Sequence, residues 1–263
     1  MRSVPRAGTP RGGAGRARLL YSRRAQQSAR RRRVSDDLTK VPPGSKHVQV
    51  LGNPDFGSIE VDLQPGQAIL TEGGAMAYMS PGMEVKTRLM GGFFRSMIRR
   101  IFGGESLFVS EYSHPQGGVL AISPAVPGKV VHRVMRGETI MLQGGAFLAC
   151  DPRIYIGTKF GGFRALFSGE GAFFLEVSGQ GDLFFNAHGT IVEHDVDGDF
   201  VVDTGHIVGW EPTLDWTVTG MGGLKSTLFS GEGLVLRFRG RGKVWLQTRT
   251  IGGLAGWLSG YVW

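Results

Sequence analysis

Histidines are the residues of this sequence best suited to bind a metal ion or to transfer protons near neutral pH. The chain has six of them: His47, His114, His132, His188, His194 and His206. None has the spacing of a metal site, and the two-histidine-plus-glutamate pattern of cupin metal centres is absent. The sequence therefore predicts no bound metal ion and no cofactor.

Three glutamates recur in similar surroundings, which suggests acid–base chemistry at first sight. Glu105, Glu170 and Glu232 follow Gly104, Gly169 and Gly231, respectively. Catalytic groups tend to be unique, whereas groups that stabilise a turn are copied together with the fold. We therefore expect each carboxylate to accept hydrogen bonds from the backbone N–H groups of its glycine turn.

Nucleophilic and phosphate-binding motifs are missing from the sequence. The single cysteine, Cys150, follows the apolar residues 146–149 and is predicted to be a small buried hydrophobic residue. There is no Gly-x-Ser-x-Gly nucleophile elbow and no phosphate-binding loop that ends in Gly-Lys-Ser/Thr. The sequence predicts that the protein is not an enzyme, and the alternative is an unrecognised enzyme with a site between repeated units.

The composition indicates which kind of fold positions these residues. Glycine accounts for 43 of the 263 residues and hydrophobic residues for 41%, without the three-residue period of collagen. No apolar run reaches the ~18 residues that a membrane-spanning helix needs. Short apolar runs alternate with glycine-bearing turns, which is typical of antiparallel β-structure.

Two sets of markers recur along the chain and indicate repeated units. Each of the turn glycines Gly66, Gly137 and Gly198 precedes a predicted strand, and a second set of turn glycines follows that strand: Gly73, Gly74, Gly144, Gly145 and Gly205. A Phe-x-Gly-Glu marker then ends at each recurrent glutamate. We predict one antiparallel β-sandwich domain over residues 45–263, built from three similar repeats (48–125, 126–187 and 188–250) with a short helical insertion.

The order of these motifs resembles a known family. The motifs are Gly73-Gly74, the Gly-Glu-Ser-Leu-Phe stretch at 104–108, the Pro-Gly-Lys stretch at 127–129 and the Phe-Val-Val-Asp-Thr-Gly-His stretch at 200–206. They resemble the altered inheritance of mitochondria family, which has prokaryotic and fungal members, over roughly residues 46–250. The resemblance implies a fold like that of the trp RNA-binding attenuation protein, and a homo-oligomer, with a trimer favoured. It implies no established catalytic activity.

Two apolar segments are predicted contact surfaces. Residues 91–102 fit a short basic amphipathic helix with the apolar residues Phe93, Phe94, Met97, Ile98 and Ile101. This helix is expected to cap one end of a sheet, and a membrane-surface or subunit contact is the alternative. The C-terminal segment 251–263, with Trp257 and Trp263, is too short to span a bilayer. We expect it to pack against its own domain or a neighbouring subunit, and membrane anchoring is the alternative.

The N-terminal residues 1–44 are predicted to be a basic disordered tail or a leader. Residues 1–35 contain eleven arginines and no acidic residue, so the rest of the chain has a net charge of −3. An unstructured extension, a mitochondrial presequence and an arm for nucleic acids or anionic surfaces all fit this composition. The expected localisation depends on the source and is cytoplasmic for a prokaryote and mitochondrial for a eukaryote.

The function predicted from these features is that of a non-catalytic oligomeric scaffold or binding module. The fungal members of the family suggest a link to membrane organisation. The expected partners are further copies of the chain, another protein or a membrane surface. An RNA-binding ring is the alternative, suggested only by the analogy of fold. The charge of −3 opposes phosphate recognition by the folded body.

Overall fold

The computed structural model describes residues 48–89, 108–160, 173–220 and 234–261. These residues form fifteen strands, two short 3-10 turns and one α-helix. Every pairing between named strands is antiparallel, which confirms the all-β class expected from the sequence.

Seven strands lie in the first part of the chain. They are β1 (Val48–Leu51), β2 (Ser58–Leu63), β3 (Ala68–Glu72), β4 (Met76–Met79), β5 (Glu84–Leu89), β6 (Phe108–Ser113) and β7 (Gly118–Ile122). Strand β2 alternates between more and less buried positions, as expected for a strand with one face on the core. The strands are short because turns at residues 64–67 and 114–117 interrupt what are single long strands later in the chain.

The second and third parts of the chain each contain two long strands. The second part contains β8 (Val130–Gln143), β9 (Phe147–Cys150), β10 (Ile154–Phe160) and β11 (Phe173–Asn186). The third part contains β12 (Ile191–Asp203), β13 (Ile207–Trp210), β14 (Asp215–Gly220) and β15 (Leu234–Gln247). A 3-10 turn follows β8 and another follows β12, at Gly144–Ala146 and Thr204–His206. The same order of elements therefore occurs in both parts, while the threefold duplication of the sequence remains a prediction.

Glycines allow the long strands to change direction without breaking the ladder. Gly137 in β8 and Gly198 in β12 both have φ of 107°, a conformation that costs glycine little and other residues much more. Strand β8 pairs with β11 on both sides of its glycine, and β12 pairs with β15 likewise. Each long hairpin can therefore contribute to two packed layers.

The strands form two sheets. The smaller has the order β1-β2-β7-β4, and the larger runs β12-β15-β13-β8-β11-β9-β3-β6-β5, with β10 paired to β11 and β14 paired to β15. Two short junctions connect the three parts of the chain: β3 pairs with β9, and β8 pairs with β13. These junctions join strands that are distant in the sequence.

Apolar side chains fill three core clusters, and the clusters span the sheets. One cluster joins the small sheet, through residues such as Ile59 and Leu120, to Phe184 and Leu148 of the large sheet. Another contains Trp210, whose ring makes edge contacts with Phe174, Trp216 and Phe238. Burial of such large aromatic side chains contributes strongly to stability, so the core holds the surface strands in fixed positions.

The helix α1 (Ile251–Ser259) follows the last strand. Thr250 caps its N-terminus, because the backbone N–H of Gly253 donates to the Thr250 hydroxyl oxygen at 3.0 Å. The helix contains no buried residue. The described residues 251–261 are all exposed, and the expected packing against its own domain or a neighbouring subunit remains a prediction.

Candidate contact surfaces

The residues with catalytic potential lie in structural positions. Cys150 is fully buried at the end of β9, and burial raises the pKa of its thiol, which keeps the thiol protonated. The expectation that this cysteine is a small buried hydrophobic residue is confirmed. Within the described ranges, His, Cys, Asp and Glu side chains form no group of three that could hold a metal ion.

The described histidines make individual contacts with the fold. His132 contacts Asp182 at 2.7 Å and stacks on Phe184, with ring centroids 4.5 Å apart. His114 and His206 bind the backbone carbonyls of Pro81 and Gln247 at 3.0 and 2.8 Å. His132 lies on β8, His114 follows β6 and His206 lies in a 3-10 turn, so these three histidines support different parts of the fold.

The predicted turn glycines occupy two kinds of turn. Gly73 and Gly74 form a tight turn between β3 and β4, where Gly74 has φ of 86°. Gly144, Gly145 and Gly205 lie instead in the 3-10 turns, and their φ values are not positive. The first turn thus differs from the other two. The other recurrent residues, Gly104, Glu105, Gly169, Glu170, Gly231 and Glu232, lie outside the described residues, as does the predicted insertion with Phe93, Phe94, Met97, Ile98 and Ile101.

Helix α1 presents an apolar surface to solvent. Trp257 is 62% exposed, and its ring lies 5.0 Å from that of Tyr261, centroid to centroid. Ile251, Leu254 and Leu258 are exposed as well. The helix carries no acidic or basic residue, so its exposed face offers almost only apolar contacts. The other predicted contact residue of this segment, Trp263, lies outside the described residues.

A cleft of about 420 Å³ lies at the base of helix α1. Its walls include His188, His206, Arg249, Leu254 and Trp257. His206 is positioned by its bond to the carbonyl of the last β15 residue, and Arg249 follows in the connection to the helix. The cleft combines one permanent cation with an indole ring, a combination that suits a small amphipathic anion or an acidic side chain of a partner.

Strand β4 is the second exposed apolar surface. All four residues, Met76, Ala77, Tyr78 and Met79, are exposed, and Tyr78 is 53% exposed. One edge of the strand pairs with β7. In the part of the chain that the structure describes, no strand pairs with its other edge. Unpaired N–H and C=O groups along an apolar edge are a template for strand addition.

The distal half of β12 forms the third surface. Val201 is 45% exposed, although valine favours buried positions. This half pairs with β15 on one side, and β12 ends the large sheet on the other, as far as the described strands extend. Among the described strands, β4 thus ends the small sheet and β12 ends the large sheet, each with exposed apolar residues.

The sequence predicted the C-terminal surface but did not indicate the two strand edges. The aromatic and aliphatic residues after residue 250 indicated the C-terminal surface. Residues 76–79 are apolar without alternation, and this pattern predicts a strand that is buried on both faces. Only the non-local pairing of strands distinguishes an exposed edge from a buried one.

Together these features define an all-β protein with exposed apolar residues at two strand edges and on a terminal helix. The chain belongs to the family described as mitochondrial biogenesis AIM24, which matches residues 48–249. The resemblance noted from the sequence motifs is thereby confirmed.

Two relatives extend the comparison to bacteria. An uncharacterized protein of Streptococcus pyogenes serotype M6 is 30% identical over 216 residues, covering 79% of this chain and 87% of the relative. The crystal structure of a Streptococcus pyogenes protein matches with a TM-score of 0.69 at 28% identity, covering 82% of this chain and 99% of the other. The family's name refers to mitochondria, whereas both of these relatives are bacterial.

A membrane-spanning helix is not found in the described ranges, where α1 is far shorter than a bilayer requires.

Proposed function

We propose that the protein is a non-catalytic, self-associating scaffold that uses its apolar surfaces to bind further copies of itself and an apolar partner. The observation that carries this proposal is that every described residue of strand β4 and of helix α1 is exposed, because exposed apolar patches commonly mark sites of contact with proteins or membranes.

The surroundings of these surfaces support a binding role. The core beneath β4 is tightly filled, since Leu120 and Ile122 of the neighbouring strand are fully buried. Strand β4 is therefore anchored along one edge by a buried strand, while all four of its own residues are exposed. A preformed surface loses little conformational entropy when it binds, which favours association.

Helix α1 is the surface we assign to the apolar partner. It is short and uncharged, so electrostatic attraction to anionic lipid contributes little to its binding, and aromatic contacts dominate. A protein groove or the apolar part of a membrane surface provides such contacts. A role in membrane organisation would require this second kind of surface.

Light scattering coupled to size-exclusion chromatography tests self-association of the full chain. We expect a mass that is a multiple of 28.4 kDa across the micromolar range. A strictly monomeric mass over this range would contradict the proposal. Flotation with vesicles of neutral lipid, compared between the full chain and a chain ending at Thr250, then reports whether α1 binds lipid.

A further inference from the structure

Three short strands of the protein have the same irregular register with their neighbours. Strands β4, β9 and β13 pair with β7, β11 and β15, and each pairing contains one bulge at the same place. The aligned pairs nearest the end of each short strand are Met79 with Leu120, Cys150 with Leu183, and Trp210 with Val244. The three strands therefore occupy equivalent positions in their hairpins.

Two of these strands are covered on their outer edge by another part of the chain. Strand β3 covers β9 through the pairs Leu70 with Cys150 and Thr71 with Ala149. Strand β8 covers β13 through the pairs Met141 with Trp210 and Leu142 with Gly209. In both junctions the covering strand pairs with the two residues that follow the bulge in the short strand. Every residue of β9 and β13 is buried.

Strand β4 should have the same kind of neighbour, but within the described residues it has none. The segment equivalent to the covering parts of β3 and β8 is the distal half of β12. Gln143 and Asp203 each precede a 3-10 turn, so Val201 corresponds to Met141 and Val202 to Leu142. Val201 is exposed, as are all four residues of β4. The described part of one chain thus carries both halves of a third junction that its own strands do not form.

We propose that β4 of one copy pairs antiparallel with residues 201–203 of β12 in a second copy, with Met79 opposite Val201 and Tyr78 opposite Val202. This inference rests on the proposed self-association and assigns the interface that produces it. The contact is head-to-tail, because it joins two different edges, so successive copies close into a ring or extend as a filament.

Side-chain sizes across the three junctions are complementary. Each junction contains a row of three residues, one on the covering strand, one on the short strand and one on its hairpin partner. The rows are Thr71–Ala149–Phe184, Leu142–Gly209–Trp245 and, for the proposed junction, Val202–Tyr78–Ala121. Every row has one aromatic residue, one alanine or glycine and one residue of medium size. In the two observed rows the small residue is on the short strand and the aromatic residue is on its hairpin partner. In the proposed row these two positions are exchanged, which keeps the total side-chain volume similar.

The position of the Tyr78 ring leaves the open edge accessible. The Tyr78 hydroxyl donates a hydrogen bond to Glu60. Glu60 lies on β2, on the far side of β7 from β4, opposite Ala121. The ring therefore extends across the small Ala121 and away from the edge at which the second copy binds.

Cysteine cross-linking tests the register between copies. A Met79→Cys variant is mixed with a separate Val201→Cys variant, and oxidation is followed on non-reducing gels. Paired residues of antiparallel strands have Cα separations of about 4.5–5.5 Å, which a disulfide can span. The native Cys150 is buried and does not compete. The matched control replaces Val201→Cys with Val192→Cys, an equally exposed valine of the same strand.

The expected result is a covalent dimer from the 79/201 mixture and none from the 79/192 mixture. An oligomer in light scattering that gives no 79/201 cross-link would overturn this interface while leaving the self-association itself intact. A monomer at every concentration would instead contradict the proposed function as a whole. A further variant carries Met79→Cys and Val201→Cys in the same chain. If it forms only an intramolecular disulfide, the two edges close within one chain, and the inference is overturned.

A charge on the open edge provides an independent test. Met79→Lys places an ammonium group against the apolar strand of the second copy, and edge lysines block strand addition. We expect loss of the oligomer with an unchanged circular dichroism spectrum, because Met79 is exposed in the single chain. Phe56→Lys is the control, since Phe56 is 74% exposed in the turn between β1 and β2. Equal dissociation by both variants would contradict the assignment of the edge.

Discussion

At the scale of single residues, Asp151 shows how local contacts determine the properties of a side chain. Partial burial alone would raise the pKa of its carboxyl group. Arg153 reverses this effect, because its guanidinium group donates to both carboxylate oxygens at 2.8 and 2.9 Å and its backbone N–H donates as well. The pKa of Asp151 is therefore held below its ordinary value.

This shift makes a definite prediction for the pH dependence of stability. Asp151 stabilises the folded state above the pKa of about 3.9 that it has when unfolded, and the contribution is lost as the pH falls through its lower folded value. Asp151→Asn should reduce the free energy of unfolding at pH 7 by about 1 kcal/mol, since Arg153 is exposed. It should also make the loss of stability below pH ~4 less steep. Urea unfolding at a series of pH values measures both effects.

The control for this prediction is Asp199→Asn. Asp199 forms an exposed ion pair with Arg239 at 3.0 Å, and such pairs contribute little. Identical acid profiles for wild type and Asp151→Asn would show that the Arg153 contacts do not act on stability.

Gly209 is fixed by a close approach of backbones at the junction of β13 and β8. A Cβ atom at this position would lie 2.5 Å from the carbonyl oxygen of Met141 and 2.8 Å from a methyl group of Leu142. Gly209→Ala should therefore reduce the free energy of unfolding by about 1–3 kcal/mol through overpacking. Gly256→Ala, in helix α1, has no atom within 4 Å and should leave stability equal or raise it by up to ~1 kcal/mol. Thermal unfolding of both variants measures the contrast, and an unchanged Gly209→Ala protein would show that this junction is loose.

At the scale of elements, helix α1 and strand β15 carry tryptophans with opposite surroundings. Trp245 in β15 is 1% exposed, lies under the guanidinium group of Arg133 and donates a hydrogen bond to Glu193. Trp257 in α1 is 62% exposed and contacts Tyr261. The same residue type is thus part of the core in one element and exposed to solvent in the other.

The two tryptophans should respond differently to removal. Trp245→Ala should lower the free energy of unfolding by about 3–5 kcal/mol, because it leaves a cavity in the core. Trp257→Ala should leave the stability of dilute protein unchanged and reduce only the binding of a partner to α1. Urea unfolding at low protein concentration separates these effects. A similar loss in both variants would show that α1 packs on the domain in solution.

At the scale of the whole molecule, charge is separated along the chain. The eleven arginines of residues 1–35 give the chain its net charge of +8, and the remainder has a charge of −3. Arginine-rich segments bind phosphates by releasing counterions and without sequence selectivity. The basic isoelectric point therefore describes the N-terminal segment, which lies outside the described residues, and not the folded body.

Removal of residues 1–40 should abolish binding to single-stranded RNA without unfolding the body. Filter binding at several salt concentrations measures the first effect, and thermal unfolding measures the second. The full chain should bind weakly, with an affinity that falls steeply as salt increases. Salt-sensitive RNA binding that persists in the shortened chain would favour the alternative of an RNA-binding ring.

Much of the architecture was predictable because its causes are local. Glycines such as Gly137 and Gly198 mark positions where the backbone must adopt positive φ, and apolar runs between them predict antiparallel strands. The burial of Cys150 followed from its apolar neighbours. The apolar character of the C-terminal segment followed from the density of apolar residues after residue 250. These features depend on residues that are close together in the sequence.

The sequence by itself determined an all-β chain with glycine turns, a buried cysteine and an apolar C-terminus. Only the tertiary structure decided which apolar strands are exposed. Residues 76–79, 147–150 and 207–210 are all apolar, yet the last two segments are wholly buried and the first is wholly exposed. The difference comes from strands β3 and β8, which pair with β9 and β13 across long sequence separations, whereas no described strand pairs with the outer edge of β4. Burial of a strand depends on which strands lie beside it in space, and the residues of the strand itself do not determine whether such a neighbouring strand is present.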